Sequence, residues 1–203
     1  MIILILNKIR INKISFFLII LALFFPYNLG FAQEGENKNM NNPFGVLEFL
    51  HWNHSWNSYK YSSTKDLERA IKLMKEAGIG WVRMDFLWAD IEPEAGSFNF
   101  KKYDKIVKIL KENNINILGL LNYSVDWAAS CREWNCPPEY NSLFVKYAKE
   151  VISRYKDKIK YWEVWNEPDS ATYWSKQDGL KSYCLLLKDV YVAEKKLILS
   201  VRY

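Results

Sequence analysis

The chain is poor in the residues on which several chemistries depend. Two histidines, His51 and His54, and three cysteines, Cys131, Cys136 and Cys184, occur in 203 residues. The histidines are spaced i, i+3 with only Asn and Trp between them, and the Cys131 to Cys136 loop "CREWNC" has no histidine nearby, so neither makes a metal centre. Glycine is scarce as well. The segment "HWNHSWNSYKYSST", which follows the first strand-like run, contains none, which argues against the Gly-rich turn of a dinucleotide-binding fold. The formal charge of +5 is no sign of a nucleic-acid partner, because Lys8, Arg10 and Lys13 lie in an acid-free N-terminal stretch; without them the basic excess falls to two. Long apolar runs are also missing, since Ile14 to Phe25 falls short of the roughly 20 residues that span a bilayer.

What remains is a globular composition, half hydrophobic and 16% aromatic, sufficient for one domain with a sizeable core. The N-terminus combines basic residues, the apolar run, Pro26 and the small-residue step Gly30-Phe31-Ala32. Residues 1–32 are therefore expected to be a secretory signal cleaved near Ala32, giving a secreted or periplasmic protein without stable membrane insertion; the alternative is an uncleaved membrane anchor. Residues 33–42, rich in Asn, Glu and Gly, read as a flexible lead-in to a domain spanning 43–203. Export makes a Cys131–Cys136 disulfide the expected state of that pair. Cys184 falls in the apolar periodicity of a helix and is expected to be a buried thiol.

Strand and helix patterns alternate along the domain. Phe44 to Leu50, Ile79 to Phe86, Ile115 to Leu121 and Lys158 to Asn166 read as strands, with Leu197 to Val201 beginning a fifth. Between them run helical faces: Leu67, Ala70, Ile71 and Met74, ended by Gly78; Tyr103, Ile106, Val107 and Leu110; Phe144, Tyr147, Ala148 and Val151; and Leu180, Cys184 and Leu187. This order predicts a parallel α/β sheet. Aromatic and polar residues gather just after the strands, among them His51, Trp52, Trp56, Trp88, Asp90, Glu92, Asn122, Tyr123, Trp127, Asn166 and Glu167. That distribution favours a (β/α)8 TIM-barrel, whose sites lie at the C-terminal ends of its strands. Such a barrel takes about 250 residues, so this chain carries about the first four β/α units plus a fifth strand.

The stretch "YWEVWNEPD", Tyr161 to Asp169, is the most informative. Strand alternation sets Trp162, Val164 and Asn166 against Glu163, Trp165 and Glu167. Pro168 biases Glu167 toward extended angles at the strand's end. Desolvation by Trp162 and Trp165 would raise the carboxyl's pKa toward that of a general acid, and the Asn166 amide can both donate and accept.

Three segments then carry a family resemblance. "EVWNEPD" resembles the fourth-strand signature of clan A glycoside hydrolases, "VRMDFLWADIEPEAGSFNFKKYDKIV" is similar to the second-strand region of family 39 and the related families 5 and 42, and "ILGLLNYSVDWA" resembles a family 39-like third strand. The likeness runs from about Phe44 to Glu194. It implies a hydrolase, secreted if the expected signal acts, that works on a β-linked oligo- or polysaccharide by retention, with Glu167 as acid/base, Asn166 as its sugar-orienting neighbour, Arg83 as the arginine at the end of the second strand, and no cofactor. The family's nucleophilic glutamate belongs to a seventh strand. None is assignable here, because Glu163 lies too far along Glu167's own strand, and a truncated or frameshifted reading frame is the expectation. The alternative is a non-catalytic carbohydrate-binding or inactive fragment.

Other residues have two readings each. Glu167 itself has a structural alternative, a strand-end carboxylate paired with a base. Arg83 either orients the site or neutralises Glu163 or Asp85, and the two can coexist. Trp52, Trp88, Trp127 and Trp134 are either sugar platforms or core filler, with loop-borne Trp127 favoured over strand-borne Trp81. His51 and His54 are expected to hydrogen-bond sugar or to be structural, Asn122 joins the substrate-binding set, and Glu92 and Glu94 are expected to be solvated.

Overall fold

The computed structural model describes residues 42–200 apart from 57, 59 and 176–178, with 196–200 described by backbone alone. The expected signal (1–32) and nearly all of the lead-in lie outside the described residues. Strands and helices alternate: β1 (Gly45–Leu47), α1 (Thr64–Glu76), β2 (Trp81–Leu87), the short α2 (Trp88–Ile91), α3 (Lys101–Glu112), β3 (Asn116–Asn122), α4 (Asn141–Tyr155), β4 (Tyr161–Val164) and α5 (Gly179–Ser200). The strands form one parallel sheet in the order β1-β2-β3-β4, half the strand number of a closed barrel.

Local chemistry explains the helices. Ser63 Oγ accepts from the Asp66 N–H at 3.2 Å while the Ser63 N–H donates to the Asp66 carboxylate at 3.1 Å, a reciprocal cap that starts α1. Leu67, Ile71 and Met74 form its buried stripe, and Gly78, at φ 74°, turns the chain toward β2. On α3, Tyr103, Ile106, Val107 and Leu110 are buried; on α4, Phe144, Tyr147, Ala148 and Val151.

In β2, Val82, Met84 and Phe86 face the helices, and the Phe86 ring meets those of Tyr103, Tyr155 and Trp162. Arg83, Asp85 and Leu87 face the other way, into the concave side. The Trp162 ring lies flat against Gly119, where a Cβ would collide with it. Tyr147 OH donates to the Phe86 carbonyl and ties α4 to β2.

Two expectations about the C-terminal part change. Leu197–Ser200, expected to open a fifth strand, continues α5 as helix; Val201 lies outside the described residues. Cys184 is exposed, because α5 buries Ser182, Leu186 and Val190 and turns Leu180, Cys184 and Leu187 outward.

Candidate active site

The C-terminal ends of the strands converge on a cleft of about 820 Å³. Phe49, Trp52, His54 and Trp56 contribute from the chain after β1, Arg83, Asp85 and Leu87 from β2, Asn122, Tyr123 and Ser124 from the end of β3, and Asn166 and Glu167 from just beyond β4. Trp134 and Tyr173 also line it.

The segment carrying Glu167 departs from strand alternation. The Trp165 N–H still extends the ladder by donating to the Leu121 carbonyl at 2.8 Å, but Trp165 itself adopts φ 66° and Glu167 φ 47°. Left-handed backbone is uncommon for residues with a Cβ and is held here by surrounding contacts. It swings the Trp165 ring to the helix side, 4.7 Å from Trp174 and 5.9 Å from Phe144, with Nε1 donating to the Tyr173 carbonyl at 2.7 Å. Asn166 then enters the cleft in place of Trp165. The dry surroundings expected for the Glu167 carboxyl are therefore absent, because Trp165 packs elsewhere and Glu167 is exposed on the cleft wall.

A polar chain crosses the concave face. Arg83 Nε donates to Glu163 at 2.6 Å, and Arg83 Nη2 donates to the Asn166 side-chain oxygen at 3.1 Å. The Asn166 N–H donates to Asn122 Oδ1 at 3.1 Å, and Asn122 Nδ2 donates to Asp85 at 3.2 Å. Arg83 thus pairs with Glu163 and also holds the Asn166 amide. Burial pushes the Asp85 carboxyl up to about 6, against the opposing pull of Asn122 and Arg83. Across the cleft, burial would raise Asp90, but hydrogen bonds from His54 at 2.9 Å and Lys102 at 2.8 Å hold it below the usual carboxylate range.

Three site expectations are corrected. His51 is buried outside the cleft lining, stacked on Tyr103 at 6.1 Å with neither ring nitrogen bonded, and burial pulls it down to about 3. His54, three residues on, takes the cleft wall and stacks on Trp56. Trp127 packs edge-on to Trp88 and donates Nε1 to the Glu92 carbonyl at 3.1 Å, away from the cleft, and Trp88 is buried core; Trp52, Trp56 and Trp134 line the cleft. Glu92 is only 1% exposed, accepting from Trp88 Nε1 and the Gly96 N–H at 2.7 Å each, whereas Glu94 is solvated as expected. Arg83, Trp52, Asn122, Asn166 and Glu167 do meet in the cleft. Tyr173 joins them from an aperiodic loop that gives no sequence signal, and Asp85 through β2 alternation, which does. No cluster suited to a metal occurs among the described residues.

Residues 52–120 match the family model for beta-galactosidases of glycoside hydrolase family 42. In sequence and fold, the chain resembles clan A glycoside hydrolases. It is 28% identical over 110 residues to a 6-phospho-beta-glucosidase from Clostridium longisporum, covering 51% of this chain and 23% of that one. It is 27% identical over 121 residues to beta-galactosidase BgaB from Geobacillus sp. (strain Y412MC61), covering 47% and 18%. A family 39 glycoside hydrolase from the gut symbiont Bacteroides cellulosilyticus WH2 superposes with a TM-score of 0.61 at 21% identity, over 80% of this chain and 31% of that one, and shares its fold. The chain thus spans less than a quarter of these two curated relatives' length.

Proposed function

We propose that this protein is a secreted glycoside hydrolase acting on a β-linked glycan by retention, with Glu167 as the acid/base. The observation that carries this is the position of Glu167 and Asn166 at the C-terminal mouth of a parallel sheet, in a cleft walled by indole and phenol rings. Glu167 would protonate the bridging oxygen as a nucleophilic carboxylate from outside the described residues bonds to the anomeric carbon, then take a proton from the water that displaces that carboxylate and releases the sugar. Asn166, fixed by Arg83 and Asn122, would hold a sugar hydroxyl beside it. Likeness to beta-glucosidases and beta-galactosidases supports β-linked substrates. The N-terminal signal pattern supports an extracytoplasmic location, with which the proximity of Cys131 and Cys136, Cα atoms 5.9 Å apart, is compatible.

A second reading has its own support. Among the described residues no second carboxylate stands free across the cleft from Glu167: Glu163 is held by Arg83, Asp85 by Asn122, and Asp90 by His54 and Lys102. Retention needs two carboxyls about 5 to 5.5 Å apart, so the described part by itself suits carbohydrate binding without turnover. Release of p-nitrophenol from aryl β-glucosides and β-galactosides separates the two. Turnover that falls by about 10²- to 10⁴-fold in Glu167→Gln supports the enzyme. Calorimetric binding with no release, equal in both proteins, supports the binding module.

A further inference from the structure

We propose that Trp134 is a sugar-stacking platform, presented at the cleft rim by the disulfide-closed loop, for a second glycan unit beside the one held at Asn166 and Glu167, an inference that rests on the glycan reading of the cleft. Trp134 lines the cleft and is 46% exposed, so part of its ring stands open to a ligand. Its loop is fixed covalently by Cys131–Cys136, with Cys136 buried.

Backbone and side-chain bonds tie this loop to the chain after β3 and after β4. The Ser124 N–H donates to the Trp134 carbonyl at 3.1 Å, the Ser175 N–H donates to the Asn135 carbonyl at 3.0 Å, and Asn135 Nδ2 donates to the Thr172 carbonyl at 2.9 Å. Tyr123 and Tyr173 brace the indole at 4.8 and 6.0 Å, each near perpendicular to it. Tyr123 OH in turn lies 3.5 Å from Asn166 Nδ2, so platform and sugar-orienting amide belong to one assembly. An indole held this way loses little freedom when a ligand arrives, and it offers a flat apolar face to the C–H side of a β-linked pyranose. The cleft therefore takes an oligosaccharide rather than a single sugar.

The test is isothermal titration of the full chain with cellotetraose, xylotetraose and β-1,4-galactotetraose. Binding of at least one is expected, weakened about tenfold by Trp134→Ala and largely restored by Trp134→Phe, which keeps an aromatic face. Reducing Cys131–Cys136 should weaken the same ligand in the parent chain and leave Trp134→Ala unaffected, an outcome that general unfolding would not produce. Equal affinity of the parent chain and Trp134→Ala overturns the platform while leaving the glycan cleft standing. Absence of binding to all three probes overturns both.

Discussion

His51 stays neutral in the fold because burial pulls its pKa from 6.5 to about 3, with Lys102 and His54 opposing its charge and Asp90 favouring it. The unfolded chain takes up that proton below pH 6.5, so His51 makes stability fall as pH falls, by about 1.4 kcal/mol per unit. Asp85 acts in the opposite sense. Its folded pKa of about 6 lies above 3.8, so the fold keeps a proton that the unfolded chain loses, and stability falls as pH rises from about 4 to 6. The two slopes cancel across that window. Urea denaturation from pH 4 to 6 should therefore give a nearly flat stability in the parent chain, a rising one in Asp85→Asn and a falling one in His51→Phe; parallel profiles for all three would contradict this. Packing offers a second residue-level prediction. Gly119→Ala sets a methyl against the Trp162 ring and should cost about 1 to 3 kcal/mol by denaturant titration, relieved when Trp162→Leu is added. The Glu-Asn corner was legible in the residues themselves. The burial of His51 and Glu92 was not, since a polar side chain near a strand end reads the same whether it meets solvent or a neighbouring helix.

The start and stop of α1 reflect chemistry a few residues wide, which makes them the most legible of the helix boundaries. Ser63 and Asp66 cap α1 reciprocally, so Ser63→Ala should lower stability by about 1 kcal/mol in a thermal melt, and Ser63→Asn by little. The faces of α5 were not legible. Leu180, Cys184 and Leu187 share a helical stripe, but so do Ser182, Leu186 and Val190, and packing against α4 selects the second. The apolar run Leu197–Leu199 is similarly ambiguous between strand and helix. A helix satisfies its own backbone groups, whereas a strand needs a partner edge, and α5 already supplies the turns on which to continue. Just beyond β4, alternation misplaced Trp165 because period-two logic fails once the backbone turns left-handed.

The whole molecule exposes apolar surface at both ends of its sheet. Phe44 and Leu47 stand out at β1, Tyr161 at β4, and Leu180, Leu185, Leu187, Tyr191 and Val192 along α5. β1 and β4 are also the unpaired sheet edges among the described residues. The 203-residue chain is expected to self-associate at micromolar concentration, read by sedimentation velocity, and Leu185→Lys with Tyr191→Lys should shift it toward monomer. A monodisperse parent chain would refute this. By itself the sequence determined the alternation of strands and helices, the buried stripes of α1, α3 and α4, and the placement of Asn166 and Glu167 at the end of a parallel strand. Those features follow from periodicity and capping, which act over a few residues. Tertiary structure alone decided which indoles face the cleft, that His51 and Glu92 are enclosed, and how Arg83, Asn122 and Asp85 join Asn166 in one network. The network, the turning away of Trp127 and the enclosure of His51 depend on partners some 30 to 80 residues away in the chain, and only packing brings them into contact.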